Sequence, residues 1–515
     1  MATKWDKEVE VVVIGYGLAG AITAIAAHDA GAEVLVLEKM PIAGGNSLIS
    51  DGGFKVFLDA DNAFKYLEAT SGDRIDRDMI LYMAKGMTEV PHYMNKLADG
   101  VGAETSLENH PWHLYPFPGM ESGRLWMVTG FKEQKRAQRA TQLSDSRISL
   151  GCTQLGGYDL MDMAFRNVEK RNIEVMCSTA AKRLVQNNEG CVIGLSGEHQ
   201  GKEIFIKAKK AVILACGGFE FNDWLLKQYL EIQPIYSDCW KGNTGDGILM
   251  AQKAGAALWH MWLLHGSYGF KFPEYDYSFR IPFSGALNPD QPAKVPWIVV
   301  NRYGKRFMNE AHPFLQDSGY RPMEAMNCDY RSTASGVPEF TNIPPYMIFD
   351  EEGRKTRSIA KPRAVLEEDM YYWSEGNIAE IEKGWIKRAD SLTELAGQLG
   401  MDAAGLERTI DSWNNQCAES KDTDFSRIPG SMMPIENPPY YGVTCWPIIT
   451  NTQGGPQFNV KCQVVDPYGD PIPKLYKAGE LGSFFGHLYL LSGNLSECVI
   501  EGRTAGENAA AEPCW

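Results

Sequence analysis

Gly15, Gly17 and Gly20 stand in the spacing Gly-x-Gly-x-x-Gly, and an acid, Glu38, follows at a distance. Those residue types at that spacing suit the capture of a dinucleotide. Gly15 permits a tight turn, Gly17 lets the backbone approach a pyrophosphate, and Gly20 lets a helix lie close against a strand. Glu38 is placed to accept hydrogen bonds from a ribose. The elements that must position these residues are legible on either side. Val11-Val12-Val13-Ile14 is a β-branched run leading straight into Gly15. Residues 21–27 are alanine-rich and helical in pattern, and Val34-Leu35-Val36-Leu37 is a second apolar strand that ends at Glu38. This strand–turn–helix–strand unit predicts dinucleotide binding, with the helix N-terminus offering N–H groups to the phosphates.

At 515 residues the chain is too long for one ordinary core, so several domains are expected. A net charge of −15 disfavours nucleic acid, which needs a basic face, and leaves no polybasic patch for anionic lipid. No stretch reaches the roughly 18 apolar residues of a membrane helix. Residues 1–7 carry no apolar signal region, so the chain reads as cytoplasmic. The 11 cysteines form no Cys-x-x-Cys pair and the 9 histidines no ligand-like cluster, so no metal site is expected. His110 and His113 are three apart, but Pro111 between them favours a loop.

The first motif serves NAD and FAD alike. Four further features bear on the choice. Lys39 is followed by Gly44-Gly45-Asn46-Ser47 and then by Gly52-Gly53, a run able to wrap backbone amides and a hydroxyl around a phosphate or a flavin edge. Ala211-Val212-Ile213-Leu214-Ala215-Cys216-Gly217-Gly218 is another buried strand ending in glycines. Ala478-Gly479-Glu480 and Gly502-Arg503 lie late in the sequence. Together these stretches resemble the fumarate reductase/3-ketosteroid dehydrogenase flavoprotein superfamily over nearly the whole chain, most closely its 3-ketosteroid 1-dehydrogenases.

The resemblance implies FAD. It implies that Glu480 binds the flavin side, and that Ser492, Asn494 and Leu495 open a helix whose positive end faces the pyrimidine ring, where it would stabilise an anionic reduced flavin. The full set expected to hold FAD is Gly15, Gly17, Ala19, Gly20, Glu38, Lys39, Gly45, Asn46, Ser47, Gly52, Gly53, Ala215, Gly217, Asp246, Gly479, Glu480, Ser492, Asn494 and Leu495. Residues 242–247 are glycine-rich but follow no apolar strand, so no dedicated NAD(P)H domain is expected. The expected fold class is α/β, a discontinuous Rossmann-like FAD-binding domain (1–265 and 437–515) carrying an inserted α+β cap/catalytic domain (266–436). Helices are expected over 245–257, 391–399 and 402–415. The active site is expected between the two domains.

Residues 486–493, Gly-His-Leu-Tyr-Leu-Leu-Ser-Gly, resemble the 3-ketosteroid 1-dehydrogenase segment in which a tyrosine hydroxyl and a later glycine N–H hold the substrate ketone oxygen. By resemblance these are Tyr489 and Gly493, two donors that would stabilise an enolate. Tyr115, in a Pro/Gly-rich loop, matches a tyrosine hydrogen-bonded to the family's base. The base itself is a tyrosine at the position of Phe314, which cannot take a proton. His312 is the nearest titratable side chain, and an imidazole titrates near neutrality. Tyr268, Tyr275, Tyr277, Tyr320 and Arg321 are further candidates. Fumarate reductases clamp a dicarboxylate with arginine and histidine, and those positions are occupied here by Phe314, residues 491–494 and residues 450–455, so dicarboxylate reduction is disfavoured. Aromatic residues at 112–117 and 259–279 suit a flat, mostly apolar substrate if they line the cleft.

The expected activity is therefore that of an FAD-dependent enzyme acting on CH–CH groups. It would introduce or reduce a C=C bond α,β to the carbonyl of a cyclic ketone, steroid or smaller, by α-proton abstraction and β-hydride transfer to flavin N5. An external electron acceptor or donor completes the cycle. The alternatives are an ene-reductase of a non-steroid unsaturated acid or enone, and a non-catalytic electron-transfer flavoprotein.

Overall fold

The computed structural model describes residues 4–109, 115–132, 148–149, 156–282, 292–312, 321–324, 326–327, 339–360, 365–366, 371–490 and 492–515. Phe314, Tyr320, His110 and His113 lie outside the described residues. In chain order, the elements that bear on the site are β1 (Lys7–Ile14), α1 (Leu18–Asp29), β2 (Val34–Leu37), β3 (Gly53–Phe57), α2 (Ala60–Ser71), α3 (Arg77–Val101), β4 (Ala103–Asn109), β5 (Gly123–Phe131), α4 (Gly156–Lys170), β6 (Glu174–Met176), β7 (Lys202–Leu214), α5 (Asp246–Lys253), β8 (Leu264–Phe270), β9 (Trp446–Thr452), β10 (Pro471–Lys477) and α6 (Gly493–Ala511).

A parallel sheet organises them, in the order β6–β2–β1–β7–β10. Its central strand has helices or chain on both faces, so it is apolar at every position rather than alternating. Val11, Val12 and Val13 are wholly buried, and Val11 aligns with Val34 on one side and Ala211 on the other. α1 lies on one face with α3, α4 and α6, forming the first core. Residues 212–264 and the aromatic residues beyond them build a second core on the other face. α1 and α6 approach closely because both present small residues: a Cβ on Gly506 would lie 2.5 Å from the Thr23 carbonyl oxygen.

Among the described residues, three further sheets have three or four strands. β3, β5 and β4 form an antiparallel sheet in that order 3–5–4. β9 pairs with β8, flanked by residues 236–237 and 279–280. Residues 298–300, 346–350, 440–444 and 387–389 make a further four-stranded sheet backed by the third core. β8 thus begins before residue 266, and strand 440–444 joins the last sheet from beyond residue 437.

Local signals account for most element ends. The helix expected over 391–399 runs Leu392–Leu399, with the Ser391 hydroxyl accepting the Glu394 N–H as its cap. The helix expected over 402–415 extends to Ala418. The one expected over 245–257 is shorter, Asp246–Lys253, because Ala254 and Gly255 close it in a turn. No described helix is long and apolar enough to cross a membrane. Among the described residues no group of His, Cys, Asp and Glu is arranged to hold a metal ion.

Candidate active site

The turn after β1 is fixed by sterics. Gly15 has φ +105°, and a Cβ there would lie 2.3 Å from the Ala215 carbonyl oxygen. A Cβ on Gly20 would lie 1.9 Å from the Gly15 carbonyl oxygen, so Gly20 serves helix–strand packing. Gly17, with no side-chain cap, opens α1, and the Ser47 hydroxyl takes the Leu18 N–H at 3.2 Å. Glu38 at the tip of β2 accepts the Tyr16 N–H at 2.9 Å and the Met40 N–H at 2.8 Å, one on each oxygen. Those bonds orient the carboxylate and leave each oxygen a second lone pair for a hydroxyl. Burial raises its pKa, and the two amides oppose that shift.

These residues border a groove of about 790 Å³ whose walls include Gly15, Gly17, Ala19, Glu38, Lys39, Gly45, Ala215, Gly217, Asp246 and Glu480. Lys39 donates to Thr244 at 2.6 Å and to Asp246 at 2.5 Å. A second cavity, of about 660 Å³, is walled by Gly52, Gly53, His265, Thr450, Asn451, Tyr489, Ser492, Asn494 and Leu495. Asn46, Ser47, Glu480 and Cys498 border both, so the two form one trough. Gly20 and Gly479 line neither. Gly479 instead gives its N–H to Glu501, and its carbonyl accepts from Lys477. The fully buried Lys477–Glu501 pair, 2.7 Å apart, thereby pins the turn that aims Glu480 into the trough.

The trough is equipped for a polar ligand. Asn46 Nδ2, Asn243 Nδ2 and Glu480 Oε1 are buried there without a hydrogen-bond partner, a costly state that a ligand rich in hydroxyls and ring nitrogens relieves. Glu480 is raised well above the usual carboxylate range, first by burial and then by Glu220. It can therefore donate as well as accept. These features fit FAD, which Gly15, Gly17 and Glu38 would hold at its adenosine side and Glu480, Ser492, Asn494 and Leu495 at its flavin side.

Tyr489 is 7% exposed, and its phenol oxygen accepts the Asn494 N–H at 3.4 Å, so the hydroxyl sits at the first turn of α6. Phe485 packs edge-on against its ring at 5.4 Å. His265, buried on β8, lies with its ring 4.2 Å from the Tyr489 ring. A β-bulge between His265 and Gly266 interrupts the pairing with β9 at this point, a device that re-aims side chains beside sites. Thr450 and Asn451 border the same cavity from β9; Arg280 donates to the Thr450 hydroxyl at 2.7 Å, and Asn451 Nδ2 donates to Asn494 Oδ1 at 2.5 Å. The structure thus gathers Tyr489, Ser492, Asn494 and Leu495 and adds His265, which the sequence did not single out.

Three expectations are corrected. The Gly493 N–H donates to the Leu490 carbonyl at 2.7 Å, because Ser492 in the left-handed region (φ 69°) folds the chain into a tight turn there. That N–H is therefore engaged within the chain. His312 is exposed and borders neither cavity. The preceding Glu310 is buried in an ion-pair network with Arg306 and Arg427, at 2.9 and 3.2 Å, which anchors the turn and sends His312 to the surface. The aromatic residues of 259–279 do not line the trough either. Phe270, Phe272, Tyr275, Tyr277 and Phe279 pack on one another or on Trp373 and Trp385, as in the stack of Phe272 on Trp385 at 4.0 Å, whereas Trp259 packs on Phe458 and Trp262 is exposed. Tyr268 bonds to Trp297 Nε1, and Tyr277 accepts the Tyr371 N–H. Tyr275 packs on Trp385 and Tyr371. Arg321 donates to the His487 carbonyl. Tyr115 is half-buried; its N–H donates to Tyr66 at 2.8 Å and its ring packs on Phe117. It borders neither cavity, but it lies over the sheet that carries Gly53 (Phe57 of β3 packs on Tyr66 at 5.5 Å).

The FAD binding domain family matches residues 10–495 of the chain. Urocanate reductase of Eggerthella lenta is 30% identical over 514 residues, covering 98% of this chain and 75% of that protein. Fumarate reductase (cytochrome) of Shewanella frigidimarina is 28% identical over 505 residues, covering 98% and 77%. In fold, the chain matches the crystal structure of 3-ketosteroid Δ1-dehydrogenase from Sterolibacterium denitrificans in complex with 1,4-androstadiene-3,17-dione, with a TM-score of 0.78, 22% identity and coverage of 98% and 100%.

Proposed function

The chain belongs to the FAD binding domain family, as an FAD-dependent oxidoreductase of the fumarate reductase/3-ketosteroid dehydrogenase flavoproteins acting on C=C bonds, and from that premise we propose that it interconverts the saturated and α,β-unsaturated forms of a carbonyl compound, a ring ketone in the first instance. The observation that carries this reading is the Tyr489 hydroxyl, buried at the N-terminus of α6 in the wall shared with the flavin-side residues. Its oxygen accepts the Asn494 amide, and a phenol is also a donor of the kind that polarises a carbonyl oxygen. The helix end adds a positive field where enolate charge develops. His265 beside it is the second group suited to that oxygen, in the place expected of Gly493. When bound, FAD supplies hydride exchange at the β-carbon. An external electron acceptor or donor is part of this proposal. The domain division into 1–265 with 437–515 and 266–436 remains our proposal for what encloses the site.

A second reading is favoured by the polar wall. Asn46, Ser47, Ser50, Asp51, Thr450, Asn451 and Asn494 border the cavity alongside His265 and Tyr489. That lining suits an unsaturated acid or enone smaller and more polar than a steroid. The electron-carrier alternative is set aside, since the relatives are enzymes.

The test is a panel of saturated and unsaturated ring ketones, steroid ketones and unsaturated acids, run with an artificial electron acceptor or donor and followed by flavin absorbance. Turnover is expected with at least one carbonyl compound. Tyr489→Phe should then lower kcat by roughly 10²–10³ while FAD content stays at the wild-type level. Equal loss of rate and of FAD removes Tyr489 from the chemistry, and a panel without turnover refutes the carbonyl reading.

A further inference from the structure

Two neighbouring side chains in the wall of the second cavity are each held with one hydrogen-bonding function to spare. Thr450 and Asn451, both buried, border it side by side. A regular strand sends consecutive side chains to opposite faces. The bulge changes that here. His265 pairs with Asn451 and Gly266 with Ile449, so Thr450 is the extra residue of β9 and borders the same cavity as Asn451. The bulge is clamped from behind. The Ile449 carbonyl accepts the Asp238 N–H at 3.2 Å, and the Thr450 carbonyl accepts the Cys239 thiol. Asp238 also pairs with Arg280 at 3.1 Å, both side chains being buried. The Thr450 hydroxyl accepts from that guanidinium, and no described group accepts its own proton. Asn451 is fixed through a relay of amides. Glu497 accepts from Asn494 Nδ2, which turns Asn494 Oδ1 toward Asn451 Nδ2. Asn451 Oδ1 is left without a partner among the described residues.

The charge around the pair narrows what it binds. Among the described residues that border the cavity there is no lysine or arginine, Asp51 and Glu480 are acids, and His265 alone can carry a positive charge. The Arg280 charge is offset by Asp238. A carboxylate would give up its hydration there without the guanidinium or ammonium partner that repays it. We propose that Thr450 and Asn451 form a substrate-recognition subsite for an amide-type group, a C=O beside an N–H, carried by the ring ketone that Tyr489 holds. The proposal rests on the carbonyl reading above and deepens it. The Thr450 hydroxyl donates to the amide oxygen, and the bond from Arg280 strengthens it as a donor by polarising its oxygen. Asn451 Oδ1 accepts the amide N–H. An ester leaves Asn451 unmatched, and a carboxylate sets its charge against that oxygen. A site whose buried polar atoms are left unpaired rejects the ligand that leaves them so. Arg280 and Asp238 act only through Thr450 and are positioning residues.

The experiment titrates FAD-loaded, oxidised protein and reads Kd from the perturbation of flavin absorbance. The probes are cyclohex-2-enones carrying a carboxamide, a methyl ester or a carboxylate at ring carbon 4, 5 or 6, with bare cyclohex-2-enone as reference. At one ring position or more, the carboxamide is expected to bind wild type about tenfold or more tightly than the matching ester and carboxylate. Thr450→Val should weaken the carboxamide and the ester alike, by about tenfold, and Thr450→Ser, which keeps the hydroxyl, should restore both. Asn451→Ala should weaken the carboxamide but not the ester. FAD content should stay at the wild-type level in all three variants. The wild-type preference needs no variant, so it decides the matter even if Thr450→Val, which strips Arg280 of an acceptor, does not fold. Bare enone bound with no carboxamide preferred at any position overturns the subsite and leaves the carbonyl reading intact. A wild type that binds no enone overturns both. Loss of FAD from folded Thr450→Val or Asn451→Ala assigns the pair to the cofactor and overturns the proposal.

Discussion

Glu310 offers the sharpest test of the physical reasoning, because nothing about it depends on the substrate. Its carboxylate has no exposed surface and accepts four hydrogen bonds: Val299 N–H at 2.9 Å, Arg306 Nε at 3.1 Å, Arg306 Nη2 at 2.9 Å and Arg427 Nη1 at 3.2 Å. Asp422 accepts from Arg306 as well, at 3.0 Å. Two buried guanidinium groups thus face two carboxylates, and the cluster is neutral. Glu310→Gln keeps the shape but removes one negative charge and turns an N–H₂ toward the Arg306 and Arg427 donors. Breaking a buried pair from one side costs about 3–5 kcal/mol, about a fifth or more of the roughly 5–15 kcal/mol that holds a domain together. With a urea slope of about 3 kcal/mol per molar, the midpoint falls by roughly 1 M or more, read by tryptophan fluorescence. The exposed carboxylate Glu382 serves as control, and Glu382→Gln should leave the midpoint in place. Acid should do the same as the substitution. Burial pushes Asp422 up, but the Arg306 bonds outweigh it and its pKa ends below the usual value. Its stabilisation is therefore complete above about pH 4 and is lost as pH falls through the folded value. A Glu310→Gln midpoint indistinguishable from the Glu382→Gln control would refute the argument.

Two further outcomes follow from where side chains lie. His312→Ala should keep kcat within about twofold of wild type, as an exposed substitution does; a hundredfold loss in the same assay would return His312 to the site. Gly15→Ala places a Cβ 2.3 Å from the Ala215 carbonyl oxygen in a left-handed turn, so the purified protein should lose most of its bound flavin, measured as the ratio of flavin to protein absorbance. Full retention would show that the turn yields.

The cofactor half of the site was legible because its chemistry is local. Gly15, Gly17, Gly20 and Glu38 lie within one strand–turn–helix–strand unit, so spacing alone carries their geometry. Tyr489 was reachable through the segment around it. His265 was not, for a physical reason. A single histidine in Leu263-Leu264-His265-Gly266-Ser267 has no periodic or motif signal, and it reaches Tyr489 only because β8 pairs with a strand almost two hundred residues later. The Gly493 amide was misplaced because the sequence does not announce that Ser492 turns left-handed and hands that N–H to Leu490. The aromatic residues of 270–279 were legible as apolar but not as belonging to a core built with Trp373 and Trp385.

The seating of α1 against α6 has a consequence for how the protein is made. Residues 30–492 separate the two helices, and at about 5–20 residues per second a ribosome takes roughly 25–90 s to add them. For that interval the alanine-rich face of α1 and the far edge of the sheet, where β10 will dock, stay uncovered while the rest of the chain emerges. The flavin cradle cannot close until Glu480 and α6 have left the exit tunnel. Nascent chains stalled before that point should be sticky and flavin-free, and truncation late in the sequence should cost the cofactor as surely as a change at Gly15.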